Sequence, residues 1–255
     1  MQRIAVITGG SSGIGAAIAR RLTERGWQCV LLARTEERLR GVAEEIGAEW
    51  KVCDVGDRAA VERVATEIRG RHPAIHLLVC NAGIPGRTGF LTAEPERIED
   101  VMRVNYLGAL WCVRAFLPAL EGAAPSSIVI VASTAGTVTF PPSGPYSASK
   151  HAQVALGRAL AADLRGRGIR VHTVLPGFVE TPGFPQRDVL TIPLLGRLVV
   201  GPDRVARHVL RVIDRGRSTE THVPGWYRVG TISQGLFPGI IRAVVSRFAH
   251  NKERA

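Results

Sequence analysis

The sequence predicts an α/β fold, a single doubly wound parallel sheet with helices on both faces. Three observations carry that expectation. Short runs rich in Val and Ile recur through the first 180 residues with little polar alternation, as in strands buried on both faces. Between them apolar residues return every three or four positions, the period of a helix packed on one side. The chain has 255 residues, 45% of them hydrophobic, which suits one domain with a filled core. Strands and helices in alternation form right-handed βαβ units, and such units build a parallel sheet covered on both sides.

The strands are expected at Ile4–Thr8, Cys29–Ala33, Trp50–Cys53, Leu77–Cys80, Ile128–Ala132 and Val171–Leu175. Ile14, Ile18 and Leu22 mark one intervening helix, and Val61, Val64 and Ile68 another. Two longer helices are expected around residues 97–120 and 146–165. In the second, Ala148, Ala152, Ala155, Gly157 and Ala159 are small enough to admit a close neighbour. After Leu175, Pro176, Gly177, Pro182, Gly183, Pro185 and Pro193 punctuate a loop over residues 176–200. Loops of that length in compact domains are often functional lids. A helix should then start at Pro202, with Val205, Val209, Val212 and Ile213 facing inward, and a last strand lies near Thr221–Val223. These elements divide the chain into a domain over 1–225, with the loop inside it, and an extension over 226–255.

Composition excludes several classes. No run approaches the roughly 18 apolar residues that a membrane-spanning helix needs. Met1-Gln2-Arg3 leads straight into a strand, unlike a secretory signal. Cys29, Cys53, Cys80 and Cys112 each sit in an apolar run, and none forms a CxxC pair. Buried reduced thiols, and hence a cytoplasmic location, are the expectation. The seven histidines show no ligand spacing, so no metal site is expected. The net charge is +11, but the arginines are scattered singly without interleaved aromatic residues. That argues for a basic solvated surface and against nucleic acid as a partner.

The first expected strand runs into Thr8-Gly9-Gly10-Ser11-Ser12-Gly13-Ile14-Gly15, and a helix follows. Such a turn has no side-chain bulk at Gly9, Gly13 and Gly15, so a pyrophosphate can reach free backbone N–H groups at a helix N-terminus. About 20 residues on, the next strand ends at Ala33-Arg34. A carboxylate there would bind the ribose 2′-hydroxyl of NAD. Ala33 leaves the position neutral, and Arg34 suits a 2′-phosphate. The expected cofactor is therefore NADP(H), preferred over NAD(H).

Tyr146 and Lys150 stand four apart in a segment that reads as helix, so both side chains share a face. A nearby ammonium favours the phenolate, and a phenol so tuned can exchange a proton near neutral pH. Ser133 follows the fifth strand, at the edge where open α/β sheets bind ligands. Together these residues resemble the short-chain dehydrogenase/reductase family, over residues 3–225. The family's TGxxxGxG stands here as Thr8–Gly15, its NAG motif as Asn81-Ala82-Gly83, and its PG motif as Pro176-Gly177 with Thr181 beyond. Its adenine-contacting acidic residue is matched by Asp54, and its catalytic tetrad by Asn105, Ser133, Tyr146 and Lys150.

The resemblance implies a Rossmann-like fold and a homodimer or homotetramer built on the two long helices. It implies cofactor contacts from Gly9, Ser11, Ser12, Gly13, Ile14, Gly15, Arg34, Asp54, Val55, Asn81, Ala82, Gly83, Tyr146, Lys150, Pro176, Gly177, Val179 and Thr181. Tyr146 would be the general acid in reduction and the base in oxidation. Lys150 would lower its pKa and bind the nicotinamide ribose. Ser133 would polarise the carbonyl, so that Ser133 and Tyr146 hold the substrate. Asn105 would hold a water that links Lys150 to solvent.

The expected substrate is a small-molecule carbonyl or alcohol. The loop residues Phe178, Val179, Phe184, Val189, Leu190, Ile192, Leu194 and Leu195 favour an apolar one, lipid-like or alicyclic. An NADPH-binding regulatory protein with little turnover is the alternative. The extension departs from the compact family pattern. Leu236, Phe237, Ile240, Ile241, Val244, Val245 and Phe248 recur at helical spacing, with Arg242 and Arg247 among them. Two readings stand for it: a helix packed on its own or a neighbouring subunit near the substrate entrance, or a peripheral membrane contact through 236–250.

Overall fold

A computed structural model describes residues 2–86, 88–139, 143–184, 199–241 and 243. In chain order its elements are β1 (Ile4–Thr8), α1 (Gly13–Thr23), β2 (Gln28–Ala33), α2 (Glu36–Ile46), β3 (Glu49–Val52) and α3 (Arg58–Arg71). Next come β4 (Leu77–Cys80), α4 (Pro95–Met102), a π-helical turn (Arg103–Leu107), α5 (Gly108–Gly122) and β5 (Ser126–Val131). The remainder is α6 (Gly144–Asp163), β6 (Ile169–Pro176), α7 (Pro202–Ile213), β7 (Thr219–Val223) and α8 (Arg228–Leu236). The seven strands form one sheet in the order β3-β2-β1-β4-β5-β6-β7, and every pairing is parallel.

Side chains alternate across a strand, so each strand feeds two cores. Ile4 and Val6 of β1, with Ile128 and Ile130 of β5, pack against Val61 and Ile68 of α3 and Phe116 of α5. Ala5 and Ile7, with Val129 and Val131, pack on the other side against Ile18 and Leu22 of α1, Leu39 of α2 and Val205 and Val209 of α7. That two-sided burial is why β1, β4 and β5 read as unbroken apolar runs. The four cysteines are free and buried.

Several expected boundaries shift; β2 starts at Gln28 and not Cys29, and β5 runs Ser126–Val131 and not Ile128–Ala132. The third strand runs Glu49–Val52, not Trp50–Cys53, and it is not buried on both faces. It forms the sheet edge, where Val52 is half exposed. β6 and β7 begin two residues earlier than their apolar runs, at Ile169 and Thr219, because ladder hydrogen bonds need no apolar side chains. The expected helix over 97–120 is a rod of α4, the π turn and α5. Asp57 caps α3 by accepting from the N–H groups of Ala59 and Ala60, at 2.9 and 3.2 Å.

The strand order reverses direction between β1 and β4, which opens a crevice at their carboxyl ends. Hydrogen bonds brace that crevice. Thr8 Oγ1 accepts from the N–H groups of Asn81 and Ala82, each at 3.0 Å. Asn81 Nδ2 donates to the carbonyls of Thr8 and Gly9, at 3.1 and 3.2 Å.

Candidate active site

Two glycines shape the β1–α1 turn. Gly9 has φ +66°, a left-handed conformation that disfavours any side chain with a Cβ. A Cβ on Gly15 would stand 2.2 Å from the carbonyl oxygen of Gly9, so the turn closes only with glycine there. Ser11 and Ser12 lie between them, and the side chain of Ser12, the N-cap of α1, makes no capping bond. The first turn of α1 holds no acidic residue. Ile14 begins the buried stripe of α1, and Gly13 lies against the side chain of Thr181. A bare backbone cradle at an uncapped helix N-terminus fits a pyrophosphate. Thr181 reaches it from beyond β6, so the loop after Pro176-Gly177 closes over the same turn.

Arg34 follows β2 and is exposed. Its Nη1 lies 3.9 Å from Asp54 Oδ2. Asp54 Oδ1 accepts from Gly56 N–H at 2.9 Å, and Val55 beside it is buried in the core against α5. The structure thus brings Arg34 and Asp54, the two residues expected at the adenosine end, to the same patch at the carboxyl ends of β2 and β3. Val179 is buried and bridges to Val200, which pins the start of the long loop to its end. Val189, Leu190, Ile192, Leu194 and Leu195 lie outside the described residues.

The tetrad residues come from three places. Asn105 sits in the π turn, whose extra residue re-aims a side chain that a regular helix would point elsewhere. It is fully buried. Its Oδ1 accepts from Ile84 N–H at 2.7 Å, and its Nδ2 donates to Ile84 C=O at 3.1 Å and Ser149 Oγ at 2.9 Å. Asn105 therefore ties the loop after β4 to α6. Ser133 Oγ accepts from Ala135 N–H at 3.1 Å, donates to Pro176 C=O at 3.5 Å, and is hydrogen-bonded to Tyr146. Tyr146 and Lys150 lie on the inner face of α6, with Nζ 5.5 Å from the centre of the phenol ring.

The electrostatics depart from the expected tuning. Burial pushes the Tyr146 phenol up to about 12, and the hydrogen bond with Ser133 only partly opposes it. Burial also brings the Lys150 ammonium down to about 7. Without a bound cofactor the lysine does not lower the tyrosine, because each group pays its own desolvation first. A phenol that stays protonated at neutral pH is set to donate a proton.

Two contacts were not expected from the sequence. Lys150 Nζ donates to Gln153 Oε1 at 2.7 Å as well as to Val131 C=O at 3.1 Å. Tyr227, from the extension, packs on the PG motif. Its hydroxyl accepts from Phe178 N–H at 3.4 Å, and its ring would meet a Cβ on Gly177 at 2.2 Å. Gln153 left a signal, a polar residue on the buried face of α6. Tyr227 left none, because nothing local tells an aromatic that folds back from one that does not.

The comparisons agree with this fold. Residues 3–188 match the family model described as short chain dehydrogenase. The chain belongs to the short-chain dehydrogenase/reductase family. Its members are oxidoreductases that act on alcohol and carbonyl groups with a nicotinamide cofactor, and by membership this chain is one of them. A dehydrogenase/reductase SDR family member 4 from Mus musculus is 36% identical over 185 residues, 70% of this chain and 66% of the mouse protein. A variant actinorhodin polyketide ketoreductase solved with NADPH superposes with a TM-score of 0.80 and 31% identity, covering 88% of this chain and 96% of that one. A family member from Burkholderia phymatum solved with NAD has a TM-score of 0.76 and 30% identity, covering 86% and 88%.

Proposed function

We propose that this short-chain dehydrogenase/reductase interconverts a carbonyl and a secondary alcohol with NADP(H), on an apolar substrate, lipid-like or alicyclic. One observation carries the chemistry. Ser133 and Tyr146 meet at the carboxyl end of the sheet, near enough for Ser133 to oppose the rise of the phenol, with the buried ammonium of Lys150 on the same face of α6 as Tyr146. The dinucleotide lies in the glycine cradle, held by Gly9, Ser11, Ser12, Gly13, Ile14 and Gly15. Arg34, Asp54 and Val55 take its adenosine end. Asn81, Ala82, Gly83, Lys150, Pro176, Gly177, Val179 and Thr181 take the nicotinamide half. The cofactor supplies the hydride when bound.

The chain's own residues do the rest. Ser133 Oγ and Tyr146 Oη hold the substrate oxygen from two sides. Tyr146 Oη gives its proton to that oxygen as negative charge develops there. Lys150 carries the positive charge that favours the resulting phenolate. Asn105 holds the frame, because its amide locks the loop after β4 against α6. Phe184 packs on Tyr146 with ring centres 5.5 Å apart, and Phe178 packs on Tyr227 at 6.4 Å. These rings give the substrate side an apolar wall. It excludes water and suits an apolar ketone better than a sugar.

NADP(H) is preferred because Ala33 offers no carboxylate to repel a 2′-phosphate and Arg34 is beside it. The Arg34–Asp54 pair does not tie up the arginine. A surface ion pair at 3.9 Å contributes little and yields to a phosphate. The domain over 1–225 contains all these groups except Tyr227, which the extension contributes. The expected dimer or tetramer belongs to the same proposal, as does a peripheral lipid contact of the extension.

Tyr146→Phe tests the acid and separates this reading from that of an NADPH-binding protein with little turnover. In the wild type, a panel of apolar ketones should consume NADPH, read at 340 nm. The variant should lose at least about 10²-fold in kcat and keep NADPH affinity. Near-normal turnover in the variant overturns the acid assignment, and no turnover of any ketone by the wild type favours the regulatory reading.

A further inference from the structure

The end of the Lys150 side chain is held by a residue the family comparison does not single out. Lys150 is almost completely buried, and Gln153, one helical turn further along α6, is wholly buried. Gln153 Oε1 accepts from Lys150 Nζ at 2.7 Å, and the carbonyl of Val131 on β5 takes a second N–H at 3.1 Å. An ammonium only donates, so its partner on Gln153 must be the oxygen, and the amide orientation is settled by chemistry. The Gln153 Nε2 is buried without a partner. A buried donor left unpaired costs stability, and an apolar residue of similar size would avoid that cost. The amide is thus a poor choice for packing and a good one for holding a charge.

We propose that Gln153 is a positioning residue for Lys150, whose amide oxygen fixes the ammonium group against β5 and stabilises its charged form inside the protein. Two of the three N–H groups are then committed to protein, and one is left for the Tyr146 and cofactor side. The proposal rests on the functional reading above for its consequence but not for its test.

The surroundings leave this work to Gln153. The charged and titratable groups on the elements packed against α6 are Glu96, Arg97, Glu99 and Asp100 of α4, Arg103 and Tyr106 of the π turn, and Arg170 and His172 of β6; α6 itself carries Tyr146, His151, Arg158 and Asp163. Burial lowers the Lys150 ammonium, and among the described residues no carboxylate is hydrogen-bonded to it. A hydrogen bond to a charged group is the compensation that remains.

The chain has three lysines, Lys51, Lys150 and Lys252. Full-length protein labelled with 13C at the lysine Cε should therefore give three resolvable signals, and Lys150→Arg assigns the buried one. The midpoint of its pH titration reads the proposal directly. Gln153→Leu removes the acceptor and should move the midpoint down by about one to two pH units. Gln153→Glu places an anion at the same reach and should move it up. A midpoint that stays put in the leucine variant, or moves the same way in both, overturns the proposal. Should the leucine variant fail to fold, the glutamate variant decides: an upward shift supports the proposal, and no shift or a downward one refutes it. A purely structural role would not give opposite shifts. The titration needs neither cofactor nor substrate, so an inactive wild type that shows both shifts would count against the oxidoreductase reading alone.

Discussion

In the proposed preference for NADP(H) the discriminating side chain is Arg34, and its contribution would rest on one contact. A hydrogen bond to a charged group contributes about 1.5–3 kcal/mol, roughly 10- to 150-fold in affinity. Arg34→Ala should raise the KM for NADPH by about that factor and leave the KM for NADH nearly unchanged. The preference should also weaken with salt, because Arg34 and its neighbour Asp54 are both solvent-accessible. Steady-state kinetics with both cofactors at two ionic strengths checks this, and equal kcat/KM for the two in the wild type would sink it. Gly15→Ala makes a different kind of prediction. Its Cβ would clash with the Gly9 carbonyl and the Asn81 amide, the bracket that joins β1 to β4. Loss of both NADPH binding and thermal stability is expected, measured by fluorescence titration and a melting curve. Residues of these two kinds were legible in the sequence for a local reason. Glycines in a strand-to-helix turn and a tyrosine four before a lysine carry their geometry in their spacing. Asn105 does not. Only resemblance pointed to it, because the π turn that aims it leaves no trace in hydrophobic periodicity. Gln153 was visible but unread, since a polar residue on an apolar helix face acquires meaning only when its partner is known.

At the scale of elements, the sheet was readable because most interior strands carry an apolar run between helical stripes, although β6 also holds Arg170, His172 and Thr173. The edge strand β3 was misread for the converse reason, since only one side of it meets a core. On α6 the small residues divide. Ala155 and Ala159 are exposed, whereas Gly157 faces the sheet, where a Cβ would meet Thr173 Oγ1 at 2.1 Å. Gly157 is therefore removed from the set proposed to pack against a second subunit. Of the two readings of the extension, the described residues bear on the packing one. Thr231 of α8 shares hydrogen bonds with Thr137 at 2.8 Å and with His222 at 2.9 Å, so the helix is clamped to the loop that carries Ser133. Its other face is apolar and exposed at Val229, Ile232 and Leu236, and Trp226, Phe237 and Ile240 continue the patch. Much of 236–250, where lipid contact was expected, lies outside the described residues. Among the described residues no helix is long and apolar enough to cross a membrane. The full chain should co-sediment with anionic vesicles, more weakly in high salt, and a chain truncated after Ile232 should not. If the full chain stays in the supernatant with anionic and neutral vesicles alike, the exposed stripe serves something other than lipid.

For the whole molecule, the asymmetry of the sheet governs how it responds to acid. Histidines tie both halves of the sheet, His76 accepting from Ile4 N–H and His72 meeting Glu49 on one side, but the most deeply buried one lies on the β6–β7 edge. His172 of β6 is wholly buried, shares a hydrogen bond with Thr219 at 2.9 Å, and leaves Nε2 unpartnered. His208 of α7 bonds Thr221 at 2.9 Å. Burial, with Arg170 and Arg215 near the first and Arg211 and Arg215 near the second, pulls both down to about 4. The sign follows from which state takes up protons. Above the ordinary histidine pKa of about 6.5 both states are neutral, and the shifts contribute nothing. Below it the unfolded chain protonates while the folded chain refuses, so stability drains away between about pH 6.5 and 4. For the buried His172 alone the loss is on the order of 3 kcal/mol, a large fraction of a typical folding free energy. Urea unfolding at pH 7.5 and at pH 5 should show a marked drop in midpoint. His172→Gln should be less stable at pH 7.5, because it loses a fitted ring, yet should fall less between the two pH values. A variant with the full wild-type pH dependence would mean that acid acts on groups other than His172.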